Sequence, residues 1–172
     1  NKSIISTIMA NMALEKYLSE IYLDLIRTSV GDRYLVEGMR ENNSNIGGEP
    51  SGHIVMSNFG KTGDGLIAAL QILSIMCSDQ RPISEIVNLF KLYPQKNITI
   101  PINGEDPLTD KNVQNVIKEQ ENALGTSGRI IVRKSGTEPI VRIMVECLEA
   151  ELANKTANQI RDSIKSFINK KN

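Results

Sequence analysis

Residues 4–28 read IISTIMANMALEKYLSEIYLDLIRT and predict a strand, a helix and a second strand, in that order. The segment Ile4–Met9 is short, apolar and rich in β-branched residues, which favours a buried strand. Asn11 can cap a helix that runs to about Ser19, and Leu23–Thr28 is the next strand candidate. Strands that alternate with helices in this way indicate an α/β layer domain.

The same alternation continues downstream. Asp32 is predicted to cap a helix that runs to about Glu41, and Ile54–Met56 predicts a short strand. Either Thr62 or Asp64 is expected to cap the next helix, which is apolar around nearly its whole circumference. A helix of that composition is expected to be buried on more than one side.

A polar link ending at Pro82 separates this half from a second one. We therefore expect two domains. Residues 1–80 are expected to form an α/β domain with a mixed sheet, incomplete at its N terminus. Residues 81–172 are expected to form a small α+β domain.

The second half begins with a short predicted helix at 84–92, followed by an alternating strand in which Pro101 favours an edge position. Residues 129–133 and 140–147 predict two further strands. Val141, Ile143, Val145 and Cys147 are expected on one face, and Arg142, Met144 and Glu146 on the other. Two helices with apolar stripes complete the pattern, so we expect an antiparallel sheet covered by helices on one side.

Composition excludes several function classes. The 20 acidic residues balance the 20 Lys and Arg residues, so no basic field supports nucleic-acid binding. No apolar run approaches the roughly 20 residues that span a bilayer, so no membrane partner is expected. Cys77 ends an apolar helical segment and Cys147 lies on the apolar face of a predicted strand, so both are predicted to be buried, reduced thiols. No Cys/His pattern indicates zinc.

One polar turn carries a possible anion site. The segment Arg133–Pro139 reads RKSGTEP and joins the last two predicted strands, with Arg142 just beyond it. A phosphate dianion is bound by guanidinium groups, hydroxyl donors and backbone N–H groups, which Arg133, Ser135, Gly136 and Thr137 can supply. A plain hairpin turn remains the alternative, because Ser, Gly, Thr and Pro are common turn residues.

A second polar loop, Gly47–His53, reads GGEPSGH. Glu49 can accept hydrogen bonds from two neighbouring sugar hydroxyls, and Ser51 can add another. A surface turn is the alternative. A lone histidine such as His53 is more often structural than catalytic, but its place beside a polar Gly-rich loop favours a role in a site. Neither Asp32 nor Asp64 lies in a carboxylate cluster that would hold Mg²⁺ by itself, so no metal site is predicted in this chain.

These two motifs, with Gly48–His53 preceding Arg133–Pro139 along the chain, resemble the α-D-phosphohexomutase family. Val30–Tyr34, the turn 62–65 and residues 140–146 resemble its phosphoglucosamine mutase branch in particular. The resemblance implies a four-domain enzyme, of which this chain is most of the third domain and all of the fourth. It implies that Glu49 and Ser51 bind sugar hydroxyls and that His53 lies at the reacting end of the cleft. It further gives the phosphate that is not transferred to Arg133, Ser135, Gly136, Thr137 and Arg142.

The implied activity is the interconversion of glucosamine 6-phosphate and glucosamine 1-phosphate, through a phosphoserine and a bisphosphate intermediate. The phosphoserine and the Mg²⁺ site are expected in the N-terminal domains, so this part alone is expected to be inactive and to bind no cofactor. A phosphorylated amino sugar and those missing domains are the expected partners, and the cytoplasm is the expected location. A phosphomannomutase or phosphoglucomutase, and a non-catalytic phosphosugar-binding module, remain alternatives.

Overall fold

The computed structural model describes residues 2–171, with side chains through residue 170, and the chain divides into two compact units between Leu92 and Tyr93. The first unit contains four strands and four helices. They are β1 (Ser3–Thr7), α1 (Met12–Glu20), β2 (Asp24–Thr28), α2 (Asp32–Glu41), β3 (Ile46–Gly48), β4 (Ile54–Met56), α3 (Gly65–Asp79) and α4 (Ile83–Val87).

The sheet of the first unit is mixed, as predicted. Its strand order is β2-β1-β3-β4, with β1 parallel to both β2 and β3, and β3 antiparallel to β4. Ile5 at the centre of β1 is completely buried and packs with Leu35 and Met39 of α2 and Val55 of β4. Removal of this apolar surface from water is the main stabilising term for the unit.

Two of the predicted helix caps are confirmed and one is wrong. The Asn11 side chain accepts a hydrogen bond from the Ala13 N–H, and the Asp64 side chain accepts from Leu66 and Ile67. Asp32, in contrast, is the first residue of α2 and makes no cap. Gly31 takes the N-cap position with φ of 128°, a backbone conformation that residues other than glycine rarely adopt.

Strand β3 was not predicted, because its sequence Ile46-Gly47-Gly48 has low strand propensity. Pairing on both sides and close packing of α2 compensate for that. A Cβ on Gly47 would lie 2.6 Å from the Met39 sulfur, so a larger residue there would displace the Met39 side chain where α2 crosses the strand.

The prediction that α3 is buried on more than one side is wrong for this chain. Ala68 is its one buried residue among those described, whereas Leu66, Leu70 and Leu73 are 71%, 53% and 52% exposed. These three leucines recur every three to four residues and therefore form one exposed stripe. Cys77 on the same helix is also exposed, whereas Cys147 is buried as predicted.

The second unit contains three strands and two long helices. They are β5 (Gln95–Pro101), α5 (Lys111–Leu124), β6 (Gly128–Lys134), β7 (Ile140–Cys147) and α6 (Ala150–Lys171). The sheet order is β5-β7-β6 with antiparallel pairing throughout, so β5 is an edge strand and tolerates Pro101 as predicted. The short helix expected at 84–92 ends at Val87 and belongs to the first unit.

The alternation predicted for β7 is confirmed. Val141, Ile143, Val145 and Cys147 are completely or almost completely buried in a core shared with α6. The opposite face is not simply solvated, because Glu146 is also fully buried there. Arg129 pairs with that carboxylate at 3.1 Å and Gln95 donates a short hydrogen bond to it, which compensates for its desolvation.

The fold class is as predicted, with a mixed sheet and helices followed by a three-stranded antiparallel sheet and helices. None of the helices within residues 2–171 is both long enough and apolar enough to cross a membrane.

Candidate functional site

The turn between β6 and β7 is a polar hairpin of the second unit. The Ser135 N–H donates to the Ile140 carbonyl at 2.9 Å, and the Ile140 N–H donates to the Glu138 carbonyl at 2.8 Å, which closes the turn. Within residues 2–171, the N–H groups of Gly136, Thr137 and Glu138 have no hydrogen-bond acceptor. Those exposed donors are therefore available to an anion.

Two arginines next to this turn lie in directly opposed positions on neighbouring strands. Arg133 of β6 pairs directly with Arg142 of β7, so both guanidinium groups project from the face opposite to α6. Like charges in directly opposed positions destabilise a sheet. Arg142 bonds the exposed Glu138 at 2.8 Å, whereas Arg133 has no ion-pair partner among the described residues. A bound anion would relieve this repulsion.

The remaining predicted members of this site also lie at the turn. Ser135 is buried at the base, and Gly136 and Thr137 are exposed at the tip. A Cβ on Gly136 would meet no atom within 4 Å, and its φ is not positive. Nothing in the protein itself thus requires glycine there. A ligand that approaches the backbone closely is one reason to keep the position bare.

Sequence reasoning did not single out Thr99 for this site. Thr99 of β5 lies directly opposite Arg142, so Thr99, Arg142 and Arg133 form one row across the three strands. The hydroxyl is a further donor beside the two cations. The register of β5 with β7 was the signal that would have found it.

In the first unit, Glu49 is the centre of the loop between β3 and β4. The Glu49 N–H donates to the His53 carbonyl at 2.9 Å, and the Gly52 N–H donates to the Glu49 carbonyl at 3.0 Å. The side chain accepts from the Gly31 N–H on one oxygen and from the Ser51 hydroxyl on the other, both at 3.1 Å. Each carboxylate oxygen keeps a further lone pair, so Glu49 can still accept bonds from a ligand.

The His53 ring lies between two segments that are distant in sequence. Its Nε2 is 3.3 Å from Oδ1 of Asp32 in the first turn of α2. On the other side the ring packs so closely against Gly63 that any Cβ there would overlap it. These contacts between Asp32, His53 and Gly63 were not predicted, because their spacing along the chain carries no periodic signal.

A cavity of about 570 Å³ opens beside this histidine. Its lining mixes charges of both signs along α2 with the loop before α3, and Glu49 and Ser51 are not part of it. The lining residues are Asp32, Arg33, Val36, Glu37, Arg40, His53, Lys61, Thr62 and Gly63. The structure thus joins Glu49 to Ser51, and His53 to Asp32, as two neighbouring polar pairs.

Among residues 2–171, no group of three or more His, Cys, Asp or Glu side chains comes together in a way that could hold a metal ion.

The sequence matches two models of one protein family in succession. "Phosphoglucomutase/phosphomannomutase, alpha/beta/alpha domain III" matches residues 1–93, and "Phosphoglucomutase/phosphomannomutase, C-terminal domain" matches residues 97–163. This chain belongs to the α-D-phosphohexomutase family.

Within that family, the chain is similar to bacterial enzymes named phosphoglucosamine mutase. It is 50% identical to the one from Parvibaculum lavamentivorans over 157 residues, which cover 91% of this chain and 35% of the relative. It is 47% identical to the one from Brucella anthropi over 163 residues, which cover 95% of this chain and 36% of the relative. The chain thus spans about a third of the length of the curated relatives that it matches.

Solved phosphohexomutase structures share the fold. N-acetylphosphoglucosamine mutase of Aspergillus fumigatus superposes with a TM-score of 0.78 at 18% identity, covering 95% of this chain and 38% of that one. A second structure of that enzyme, in complex with GlcNAc-6P and magnesium, superposes with a TM-score of 0.76 at 16% identity, covering 95% and 41%.

Proposed function

We propose that this chain is the sugar-binding and phosphate-binding part of a phosphoglucosamine mutase, which interconverts glucosamine 6-phosphate and glucosamine 1-phosphate. The directly opposed Arg133 and Arg142 beside a turn with free backbone N–H groups are the observation that carries the proposal. The similarity to phosphoglucosamine mutases over more than nine-tenths of the chain supports that choice of sugar.

In this proposal the β6–β7 turn holds the phosphate that is not being transferred. Arg133 and Arg142 supply charge-assisted hydrogen bonds, and Ser135, Gly136 and Thr137 supply hydroxyl and backbone donors. The site acts by binding alone. Binding energy from a part of the substrate that does not react can be used to lower the barrier at the part that does.

Glu49 and Ser51 would accept and donate hydrogen bonds to sugar hydroxyls, and their mutual hydrogen bond keeps both groups oriented before substrate arrives. His53 is proposed for the reacting end of the substrate, where Asp32 holds its ring. Phosphoryl transfer depends mainly on positioning and on charge neutralisation, and these residues supply positioning.

The chemical steps are assigned to the remainder of the mutase. A phosphoserine there would give its phosphoryl group to the sugar, forming a bisphosphate, and would take the other phosphoryl group back. Mg²⁺, when bound by those domains, would neutralise phosphoryl charge during transfer. The N-terminal domains and a phosphorylated amino sugar are thus the proposed partners, and a cytoplasmic location remains a prediction.

Kinetics of the complete mutase test the proposal. Arg133→Ala is expected to lower kcat/KM for glucosamine 6-phosphate by roughly 100-fold, because a charge-assisted pair of bonds is lost. Arg161→Ala is a matched control, because Arg161 lies on α6 and bonds only Asn158 and Asp162 among the described residues. Unchanged KM and kcat in Arg133→Ala would exclude the assigned role.

A substrate panel separates the remaining sugars. The family models also describe phosphoglucomutases and phosphomannomutases. We expect the complete enzyme to prefer glucosamine 6-phosphate over glucose 6-phosphate and mannose 6-phosphate in kcat/KM. A preference for either neutral sugar would replace the proposed substrate while leaving the phosphate site in place.

A further inference from the structure

The proposed substrate, a glucosamine phosphate, carries an amine to which neither the phosphate turn nor the Glu49–Ser51 pair has been assigned. Glucosamine phosphates differ from glucose phosphates by an amine at C2, which is largely an ammonium at neutral pH. An ammonium has three N–H donors, a positive charge and no acceptor, so its preferred partner is a carboxylate oxygen with free lone pairs. Two carboxylates are candidates: Glu49, which belongs to the sugar loop, and Asp32, which contacts His53 of that loop.

Glu49 is already engaged at both oxygens. One accepts from the Gly31 N–H and the other from the Ser51 hydroxyl. Breaking either bond to capture an ammonium would loosen the loop or the start of α2. Glu49 is therefore suited to share its remaining lone pairs with hydroxyls, but it is not the group with an oxygen to spare.

Asp32 has a free oxygen. Its Oδ1 is 3.3 Å from Nε2 of His53, and Oδ2 has no hydrogen-bond partner among residues 2–170. The side chain is 65% exposed and lines the cavity of about 570 Å³ beside His53. Asp32 does not cap α2, so its carboxylate is not used by the helix backbone.

A hydrogen bond between the residue before Asp32 and the sugar loop fixes the position of Asp32. Glu49 bonds the N–H of Gly31, the residue immediately before Asp32. Gly31 has φ of 128°, a conformation that directs the chain into α2 and that other residues rarely adopt. The carboxylate of Asp32 and the hydroxyl-binding pair Glu49 and Ser51 are thus held by one short hydrogen-bonded connection.

A purely local reading of Asp32 also exists. An acidic residue in the first turn of a helix interacts favourably with the helix dipole. That reading explains a carboxylate at this position, but it makes no use of the His53 contact or of the cavity. The two readings differ in one measurable property, because only a ligand role makes the effect of Asp32 depend on the sugar.

We propose that Asp32 is a specificity-determining residue that binds the C2 ammonium of the amino-sugar phosphate. The proposal rests on the function proposed above and names the part of this chain that distinguishes an amino sugar from its hydroxyl counterpart. A hydroxyl can also donate to Asp32, so the discrimination comes from charge rather than from the presence of a donor.

The complete mutase provides the test, with kcat/KM measured for glucosamine 6-phosphate and for glucose 6-phosphate. Asp32→Asn keeps the size of the side chain and removes its charge. We expect kcat/KM for the amino sugar to fall roughly 10- to 100-fold further than the value for glucose 6-phosphate, the range for a charge-assisted bond. Any loss shared by both sugars reports the contact of Asp32 with His53. Asp32→Glu is expected to recover part of the preference.

Glu41→Gln is the matched control, because Glu41 is an exposed carboxylate at the other end of α2 and does not line the cavity. Equal losses on both sugars in Asp32→Asn would overturn the inference and leave Asp32 as a residue that positions His53. No loss on either sugar would overturn it as well.

If the proposed mutase function is wrong, the kinetic result differs from the one expected when only the role of Asp32 is wrong. A wild-type enzyme that turns over neither sugar phosphate, or only glucose 6-phosphate, overturns the proposed function before Asp32 is considered. Calorimetric titration of wild type and Asp32→Asn with both sugar phosphates adds a readout that does not need turnover. Affinity for the amino sugar must fall selectively in the variant, or the inference fails.

Discussion

Two glycines at the candidate sites, Gly63 and Gly136, differ in the space around them. At Gly63 a Cβ would overlap the His53 ring, so any larger residue would force that ring to move. Gly136 is not required, because open space surrounds it and its φ is ordinary. The same residue type is thus structural at one loop and free at the other, which makes Gly136 a clean probe of ligand binding.

Gly136→Ala is predicted to leave stability unchanged or to raise it by up to about 1 kcal/mol, because alanine restricts the unfolded chain. Phosphate binding, in contrast, should weaken by roughly tenfold, since a methyl group would cover exposed backbone donors. Urea unfolding and calorimetric titration of the 172-residue chain with glucosamine 6-phosphate measure the two quantities.

Gly65→Ala is the control for that variant, because Gly65 also has no atom within 4 Å of an added Cβ and lies in the first unit. Both variants should fold equally well. Equal affinities in Gly136→Ala and the wild-type chain would show that no anion approaches the tip of the turn.

At the level of single residues, two of the three predicted helix caps are correct, whereas side-chain contacts between distant segments were not predicted. Asn11 and Asp64 cap their helices as predicted, whereas the preference of Asp32 for a cap position lost to Gly31. Capping depends on the backbone angles of the capping residue, and propensity only approximates those. Contacts such as that of His53 with Asp32 need the tertiary fold and have no local signal.

Helix α3 has the apolar sequence of a buried helix, although three of its leucines are exposed in this chain. Its apolar residues predicted burial, yet the stripe of Leu66, Leu70 and Leu73 is at least half exposed in this chain. Composition reports that a face prefers to be covered. Composition does not indicate which segment packs against that face, so the exposure of α3 could not be predicted from the sequence.

That exposure leads to a prediction about stability. Leu70→Ala is expected to change the free energy of unfolding of the chain by no more than about 0.5 kcal/mol, because little buried surface is lost. Leu35→Ala on α2 is the matched comparison, with a completely buried side chain in the sheet core. It should cost about 2–5 kcal/mol.

Urea unfolding monitored by circular dichroism measures both leucine variants, with the slopes compared to check that the unfolding reaction stays the same. A loss for Leu70→Ala as large as that for Leu35→Ala would show that the stripe is buried in solution, against the structure described above.

For the molecule as a whole, the second unit was the more predictable of the two. All three of its strands overlap the segments predicted for them, and Pro101 lies on an edge strand. The first unit required more than pattern, since β3 depends on its partners and on Gly47. The expected change of domain near residue 80 and the observed division after Leu92 differ because α4 stays with the first unit.

Binding and catalysis are expected to separate at this scale. The chain contains the candidate binding loops, but residues 2–171 offer no cluster of metal-binding side chains, and the chain spans about a third of its relatives. We therefore predict that the 172-residue chain binds glucosamine 6-phosphate without converting it, because positioning groups alone do not supply a phosphoryl donor.

An assay of glucosamine 1-phosphate formation with Mg²⁺ present, with the complete mutase as positive control, tests that separation. Titration of the same preparation with substrate shows whether it binds. Binding in the titration without product in the assay supports the proposal that this chain binds the sugar and the phosphate that is not transferred, and that the rest of the enzyme catalyses the transfer. Product formation by the chain alone would place a phosphoryl-accepting group within it and would require a different mechanism.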